Sequence, residues 1–364
     1  MRPAGATGGA DDEAADQGMT SVSDFRPGVI TVFIPTFNGE RYIRECIEAV
    51  LAQHLPDGAE LEVLVIDSGS TDTTCAILRS FGPRLSVHEI PNSEFSHGGT
   101  RDRAARMARG DYFLLLTQDA TPASDRWLMS LIEPFSLSPL VGAVYGSQAP
   151  RANATPTIKR EVTRAFASMG PRDSIVVHRH QSLVDGAPTN ELDTFLSDVN
   201  AAVRRDLLIG DVPYRHVAYA EDQALARDMQ TKGYVVAYAP QAAVWHSNDY
   251  SARGYFHRKF DEYSGLHDSL DQPMPVRLRS LLLGWVRPTW HDARFGLRDR
   301  DYRLLRRLLA VTESLPYNVA STLGRYYAYK YRNDPARRSK YSRLTQSAGR
   351  PAAQPGGLDR SVAD

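Results

Sequence analysis

Three apolar runs decide the fold, and each ends in a polar turn. Ile30-Thr31-Val32-Phe33-Ile34 leads into Pro35-Thr36-Phe37-Asn38; Leu61-Glu62-Val63-Leu64-Val65-Ile66 leads into Asp67-Ser68-Gly69-Ser70-Thr71-Asp72; Tyr112-Phe113-Leu114-Leu115-Leu116 leads into Thr117-Gln118-Asp119. Short, largely apolar runs of this kind read as strands buried on both faces. Between them the period changes. Ile43, Cys46, Ile47, Val50 and Leu51 recur at the spacing of one helical face, with Asn38 as the expected cap. Asp72 is expected to cap a second helix through Leu78, Leu85–Ile90 reads as a third strand, and Thr100–Ala108 reads as a helix stopped by Gly110. Trp127–Leu137 reads as a helix and Val141–Tyr145 as a fifth strand. Strands alternating with helices across short links predict an α/β fold, a mainly parallel sheet flanked by helices.

Outward from this frame the pattern weakens. Residues 1–28 and 346–364 are small and polar and are expected to be disordered tails. Residues 147–190 carry Pro, Arg, Asn and Thr with little periodicity, so a long, partly mobile region is expected. Order returns at Phe195–Leu208, at Glu221–Gln230, and at the strand candidates Tyr234–Tyr238 and Ala242–His246. Residues 251–345 read as helical, rich in Arg, Leu and Tyr. The expected division is a domain over 29–250, with halves 29–146 and 147–250, followed by a helical extension over 251–345.

Charge adds a second axis. The 364 residues carry 43 basic and 43 acidic side chains. A net charge of zero argues against a nucleic-acid partner. The balance is uneven, however: from Ser251 onward 21 Lys and Arg face 11 Asp and Glu, while the first 250 residues hold 22 against 32. A basic C-terminal part suits an anionic lipid face or an anionic lipid-linked acceptor; a solvated helical surface, helices packed on the main domain, or a dimer contact explains it equally well. The segment Val276–Arg287, with Arg set among Leu and Trp, has the character of an interfacial helix. No run approaches the ~18 apolar residues of a membrane span, and the polar start is not a signal peptide. A cytoplasmic protein, touching the inner face of the membrane, is expected, with Cys46 and Cys75 as buried reduced thiols.

Ligands of open parallel sheets bind outside the carboxyl ends of the strands. There the three turns bring together Pro35, Thr36 and Phe37, then Asp67, then Gln118 and Asp119. Asp67 and Asp119 end buried strands, where an acid must be solvated, paired or metal-bound. Asp72 and Asn38 are explained by capping alone. No Walker A loop is present, nor any strand-anchored G-x-G-x-x-G. Gly98-Gly99, before a helix, would allow close approach of a phosphate. His97 and Asn200 are candidates for donor or acceptor contact, and Trp245 and Trp285 are expected to pack in the core.

Ile34-Pro35-Thr36-Phe37-Asn38, Val65-Ile66-Asp67-Ser68-Gly69-Ser70-Thr71-Asp72, Thr117-Gln118-Asp119 and Ala220-Glu221-Asp222-Gln223 resemble, in order, the signatures of glycosyltransferase family 2, inverting enzymes of the GT-A fold. The runs Asn92–Arg101, Leu116–Ala120 and Ser197–Arg205 resemble its bacterial rhamnosyltransferase branch. The resemblance covers about residues 29–250. It implies a Rossmann-like GT-A sheet with a C-terminal helical extension. It also implies that Pro35, Thr36 and Phe37 border a nucleobase, that Asp67 accepts from the pyrimidine or ribose, and that Arg101 faces the diphosphate. Gln118 and Asp119 would lie at the donor, with Asp119 holding a divalent cation, Mg²⁺ or Mn²⁺. Asp222 would be the general base. The family usually carries Asp-x-Asp at the metal position; Thr117 replaces the first acid, which raises the role of His246 as a ligand. The implied substrates are a nucleotide-sugar donor, dTDP-L-rhamnose in the narrower branch, and a glycan or polyprenyl-diphosphate-linked acceptor. A sugar nucleotidyltransferase would need a Gly-rich basic loop where Pro35-Thr36-Phe37-Asn38-Gly39 stands. A non-catalytic sugar-nucleotide or glycan-binding module is the other alternative; Asp67, Asp119 and Asp222 argue against it.

Overall fold

The computed structural model describes residues 28–178, 195–217, 220–247, 250–270, 275–277 and 279–342. Both expected tails therefore lie outside the described residues, apart from Gly28. The three apolar runs form strands β1 (Val29–Thr36), β2 (Glu60–Asp67) and β4 (Tyr112–Leu116), and β3 is Ser86–Glu89. All four are parallel, in the order β3-β2-β1-β4.

The sheet then departs from a simple alternation. β6 (Val141–Ala149) is separated from β4 by β8 (Asn200–Arg204), which runs antiparallel to both. β9 (Val235–Trp245) pairs parallel to β6, and the two-residue β5 (Thr121–Pro122) and the short β7 (Val176–His178) pair antiparallel to β9. The two strand candidates at 234–246 are thus one strand. A register shift opposite Gly146–Gln148 carries it past Pro240, whose carbonyl accepts from Ser147 Oγ at 2.7 Å. Two reversals of direction return β6 to the sense of β1 and β4, so the carboxyl ends of β1, β2, β4 and β6 share one edge.

Helices cover both faces. On one, Ile30, Val32 and Ile34 pack against α1 (Ile43–Leu51), α2 (Thr74–Ser80) and α4 (Trp127–Ile132). On the other, Phe33, Leu64, Phe113 and Leu115 meet residues of α3 (His97–Met107), α6 (Arg205–Ile209) and α7 (Glu221–Thr231). Burying each such side chain contributes roughly 1.5–3 kcal/mol before entropy is charged against it. Asn38 does not cap α1. It sits at φ 48° and its Oδ1 accepts from Thr71 N at 2.8 Å, joining the first two turns. Asp72 does satisfy the start of α2, its Oδ1 accepting from Thr74 N at 2.9 Å.

The stretch expected to be irregular contains α5 (Pro156–Ala167), capped by Thr155 and started by Pro156. Residues 179–190 of that stretch lie outside the described residues. The C-terminal helices are α8 (Ala252–Leu270), α9 (Arg279–Leu283), α10 (Val286–Arg298), α11 (Leu304–Leu308), α12 (Ala310–Lys330) and α13 (Pro335–Tyr341). They dock on α5 around Asp292, which is fully buried and accepts from Thr157 Oγ1 at 2.7 Å and Asn318 Nδ2 at 2.6 Å, and pairs with Arg160. Tyr327, Tyr331 and Tyr341 stack on one another, so part of the tyrosine-rich stretch is internal packing. Among the described residues no helix is long and apolar enough to cross a membrane. Cys46 is buried; Cys75, expected to be, is only partly so, and both are free thiols.

Candidate active site

The first two turns are laced together by short side chains. Asp67, fully buried, accepts at Oδ1 from Gly69 N (3.1 Å) and Ser70 N (2.8 Å), and at Oδ2 from Thr36 Oγ1 (2.9 Å) and Ser70 Oγ (2.6 Å). A carboxylate offers about four acceptor positions, so all are taken. Asp67 shapes the turn here, and the direct base contact that the sequence suggested finds no free lone pair. Gln118 clamps Phe37 from the third turn: its Oε1 accepts from Phe37 N at 3.0 Å and its Nε2 donates to Phe37 O at 2.9 Å. Gly39 is needed beneath this clamp, because a Cβ there would lie 2.1 Å from Gln118 Oε1. The clamp leaves the Phe37 ring 44% exposed at the sheet edge, beside Pro35 and Thr36.

Asp119 follows β4 with its side chain 30% exposed, and His246 follows β9, buried, with Nε2 3.6 Å from Asp119 Oδ2. His246 Nδ1 lies 2.9 Å from Gln148 Oε1, while Gln148 Nε2 donates to Ser197 Oγ at 3.1 Å. An amide oxygen only accepts, so Nδ1 carries a proton and Nε2 is the nitrogen turned to Asp119. Burial works against an ionised Asp119, but the His246 charge and hydrogen bond outweigh it and pull the carboxyl down to about 2. Arg151 Nη2 donates to Asp119 O at 3.1 Å and to Thr121 Oγ1 at 2.8 Å, bracing this turn. Thr117, where an acid would complete Asp-x-Asp, keeps its hydroxyl buried beside Asp119 and helps to hold that carboxyl down.

A second constellation adjoins the first. Thr117 N donates to Val199 O at 3.3 Å, which brings the segment before β8 to the same edge. From there Asp198 N donates to Asp222 Oδ2 at 3.4 Å. Asp222 and Glu221 open α7, preceded by Ala220 in the left-handed region at φ 59°, a conformation alanine adopts only under constraint. Arg101 lies among these acids, buried, with Nε 2.7 Å from Asp198 Oδ2 and Nη1 2.9 Å from Glu221 Oε1. Tyr214 Oη donates to Asp198 Oδ1 at 3.1 Å. Two carboxyls thus pair with one guanidinium, and a third, Asp222, lies beside them without pairing to it. Burial, then the charges of Glu221 and Asp198, push the Asp222 carboxyl well above the usual carboxylate range. Burial raises Asp198 as well, against the pull of Arg101, to about 6. Arg101 is therefore committed to acids instead of standing open toward a diphosphate.

Other expectations resolve differently. Asn200 is fully buried, its Oδ1 accepting from Trp127 Nε1 and its Nδ2 donating to Ser147 O and Ala242 O, so no part of it is left for a sugar. Gly98 serves packing, since a Cβ would lie 2.2 Å from Arg215 O. His97 lies 3.9 Å from Glu221 Oε1, at the rim of the acid group. Trp245, expected in the core, is 45% exposed next to His246. Asp198, Tyr214 and Gln148 were not singled out from the sequence; of these only Asp198 carried a signal, an acid just before an apolar run.

Residues 31–209 match the family model described as "Glycosyl transferase family 2". The chain is 34% identical over 236 residues to the O-antigen chain rhamnosyltransferase RfbN of Salmonella typhimurium, covering 64% of this chain and 70% of that protein. The chain belongs to glycosyltransferase family 2. It is a nucleotide-sugar glycosyltransferase, in a branch that resembles the rhamnosyltransferases; O-antigen chain rhamnosyltransferase WbaN of Salmonella anatum is 32% identical over the same shares of both chains. The mannosyltransferase PcManGT of Pyrobaculum calidifontis, solved with GDP-Man and Mn²⁺, superposes with a TM-score of 0.53 at 21% identity over 85% of this chain and 88% of that one. That likeness establishes the GT-A fold for this family 2 member and nothing finer.

Proposed function

We propose that this glycosyltransferase moves L-rhamnose from dTDP-L-rhamnose, with inversion, to a hydroxyl of a glycan or polyprenyl-diphosphate-linked saccharide during surface polysaccharide synthesis. The observation that carries the mechanism is the juxtaposition at one sheet edge of the Asp119–His246 pair and the Asp198–Glu221–Asp222 group. Pro35, Thr36 and the clamped Phe37 ring border the nucleobase, with Asp67 and Gln118 fixing the turn that holds them. Asp222 takes the proton of the acceptor hydroxyl as its oxygen attacks the anomeric carbon. The bond to the diphosphate breaks in the same displacement, and its electron pair leaves with the nucleoside diphosphate. Burial beside Glu221 and Asp198 raises the proton affinity of the Asp222 carboxyl, the direction that makes a carboxylate a stronger base. Arg101 keeps the neighbouring acids paired, so the remaining proton affinity falls on Asp222.

A divalent cation fits the other end of the site. The donor set is one carboxylate oxygen and one imidazole nitrogen whose far side is already hydrogen-bonded, the arrangement that orients a metal-ligating histidine. No group of three or more such side chains occurs among the described residues, so the remaining positions would fall to phosphate oxygens and water. When bound, Mg²⁺ or Mn²⁺ would neutralise charge developing on the leaving diphosphate. The exposed indole of Trp245, the residue before His246, offers an apolar face to the 6-methyl group of a deoxy sugar. The reaction is assigned to the cytoplasm, at the inner face of the membrane where a lipid-linked acceptor would lie.

Release of nucleoside diphosphate from a panel of nucleotide sugars tests the donor assignment. A clear preference for dTDP-L-rhamnose is expected; preference for a UDP-hexose would overturn it. Chelation should suppress turnover, and Asp119→Ala should remove the metal dependence of donor binding; full activity in excess chelator would count against the cation. A family member that binds dTDP-L-rhamnose but never releases dTDP would instead be the non-catalytic module.

A further inference from the structure

Helix α10 presents three faces. Thr289, Asp292, Ala293 and Gly296 point inward to α5 and α12. Beside them runs an exposed apolar stripe, Val286, Trp290 (63% exposed) and Leu297. Next comes a cationic stripe at a spacing of four, three and four: Arg287, His291, Arg294 and Arg298. The cationic stripe borders a cavity of about 600 Å³ between α5 and α10. Lys159, Arg160, Arg164, Arg294, Arg298 and Arg300 line it, against two acids, Asp299 and Asp301.

The pairing inside the cavity is uneven. Lys159 holds both Asp299 Oδ2 (2.7 Å) and Asp301 Oδ2 (2.8 Å), and Arg160 is taken by Asp292. No carboxylate among the described residues lies within ion-pair distance of Arg164, Arg294, Arg298 or Arg300. Four guanidiniums around a concavity whose two acids are already taken by Lys159 match a phosphate or diphosphate, which such groups bind in bidentate fashion. Pro150 also lines the cavity. It follows the carboxyl end of β6 and precedes Arg151, which braces the Asp119 turn. The cavity therefore adjoins the segment that leaves β6 at that edge of the sheet.

We propose that this cavity binds the diphosphate of a lipid-linked acceptor, with the lipid chain running along Val286, Trp290 and Leu297. The inference rests on the lipid-linked acceptor reading above and places that acceptor's non-reacting end. An ionic head beside an apolar stripe is the signature of an amphiphile. A second copy of the chain in a two-fold contact would set these cations against each other, and a nucleic acid would leave the apolar stripe uncovered.

The test is calorimetric titration of the full chain, saturated with dTDP so that the donor site is filled. The probes are farnesyl diphosphate below its micelle concentration and inorganic pyrophosphate. Farnesyl diphosphate should bind at least tenfold more tightly than pyrophosphate. Arg294→Ala combined with Arg298→Ala, both on the surface, should weaken both ligands tenfold or more with unchanged thermal unfolding, and Trp290→Ser should abolish only the preference for the lipid. Equal affinity for the two probes would mean a site for free phosphate and overturn the lipid assignment. Unchanged affinity in the double arginine variant would overturn the site. Failure of wild-type protein to bind dTDP would count against the donor reading instead, so the two failures are separable.

Discussion

The donor turns and the acid group at 198–222 occupy one sheet edge but are held by different physics. In the donor turns, backbone N–H groups and hydroxyls meet Asn38, Asp67 and Asp72 across about thirty residues of chain, and nearly every partner is a neutral donor. The acid group draws Arg101, Asp198, Tyr214 and Glu221-Asp222 from distant segments, and two buried carboxyls depend on one guanidinium with a third beside them. The first is a set of small additive contributions. The second is cooperative: take away one charge and the others are left unpaired. Breaking a buried ion pair costs far more than its net worth in the intact protein.

That contrast sets the order of the expected effects. Arg101→Met should be the most damaging, destabilising the fold by about 3–5 kcal/mol, with Arg101→Lys recovering part; equilibrium unfolding in urea measures both. A loss no larger than that of a donor-turn change would erase the distinction. Asp222→Asn should leave donor affinity nearly intact and lower turnover by ~10² or more. Near-normal turnover in the folded variant would remove Asp222 as the base and direct attention to Glu221.

Acid should separate the two regions by sign. Asp198, with its carboxyl raised to about 6, binds its proton more readily in the folded chain than in the unfolded one. Its contribution to stability is complete below the unfolded value of about 4 and is lost as pH rises through about 6. Asp119, lowered to about 2, behaves oppositely: its contribution is present above about 4 and is lost as pH falls through about 2. Unfolding free energies measured across pH should therefore fall less steeply between pH 4 and 6 in Asp198→Asn than in the parent. An identical slope would show that Asp198 titrates as an ordinary carboxylate. If Asp222 is the base, turnover should decline on acidification at a higher pH than an unperturbed aspartate would give, since its carboxyl is raised.

The smallest effect belongs to the donor turns. Gln118→Ala removes both hydrogen bonds to Phe37, each worth about 1 kcal/mol, and should weaken dTDP binding by roughly tenfold with turnover at saturation little changed. Isothermal titration checks the affinity. A collapse of turnover at saturating donor would show that this clamp also governs the chemistry.

The amino-acid sequence by itself determined the parallel strands β1, β2 and β4, their turns, and the meeting of those turns at one edge, because burial on two faces leaves an unbroken apolar run that ends abruptly in polar residues. It also carried, through the ordered motifs, the family and the positions of Asp119 and Asp222. Tertiary structure alone decided what those positions touch. Nothing local distinguishes Arg101 in a polar helix from a surface arginine, yet folding places it between Asp198 and Glu221. Nothing in the short apolar run Ala201–Val203 says that β8 inserts antiparallel between β4 and β6, since a strand's period is the same in either direction. Asn200 reads as a polar residue open to a ligand until three core partners claim its amide, and Trp245 reads as core until β9 ends at the surface. Period and composition report whether a residue is buried; only the packed chain determines against which charge it is buried.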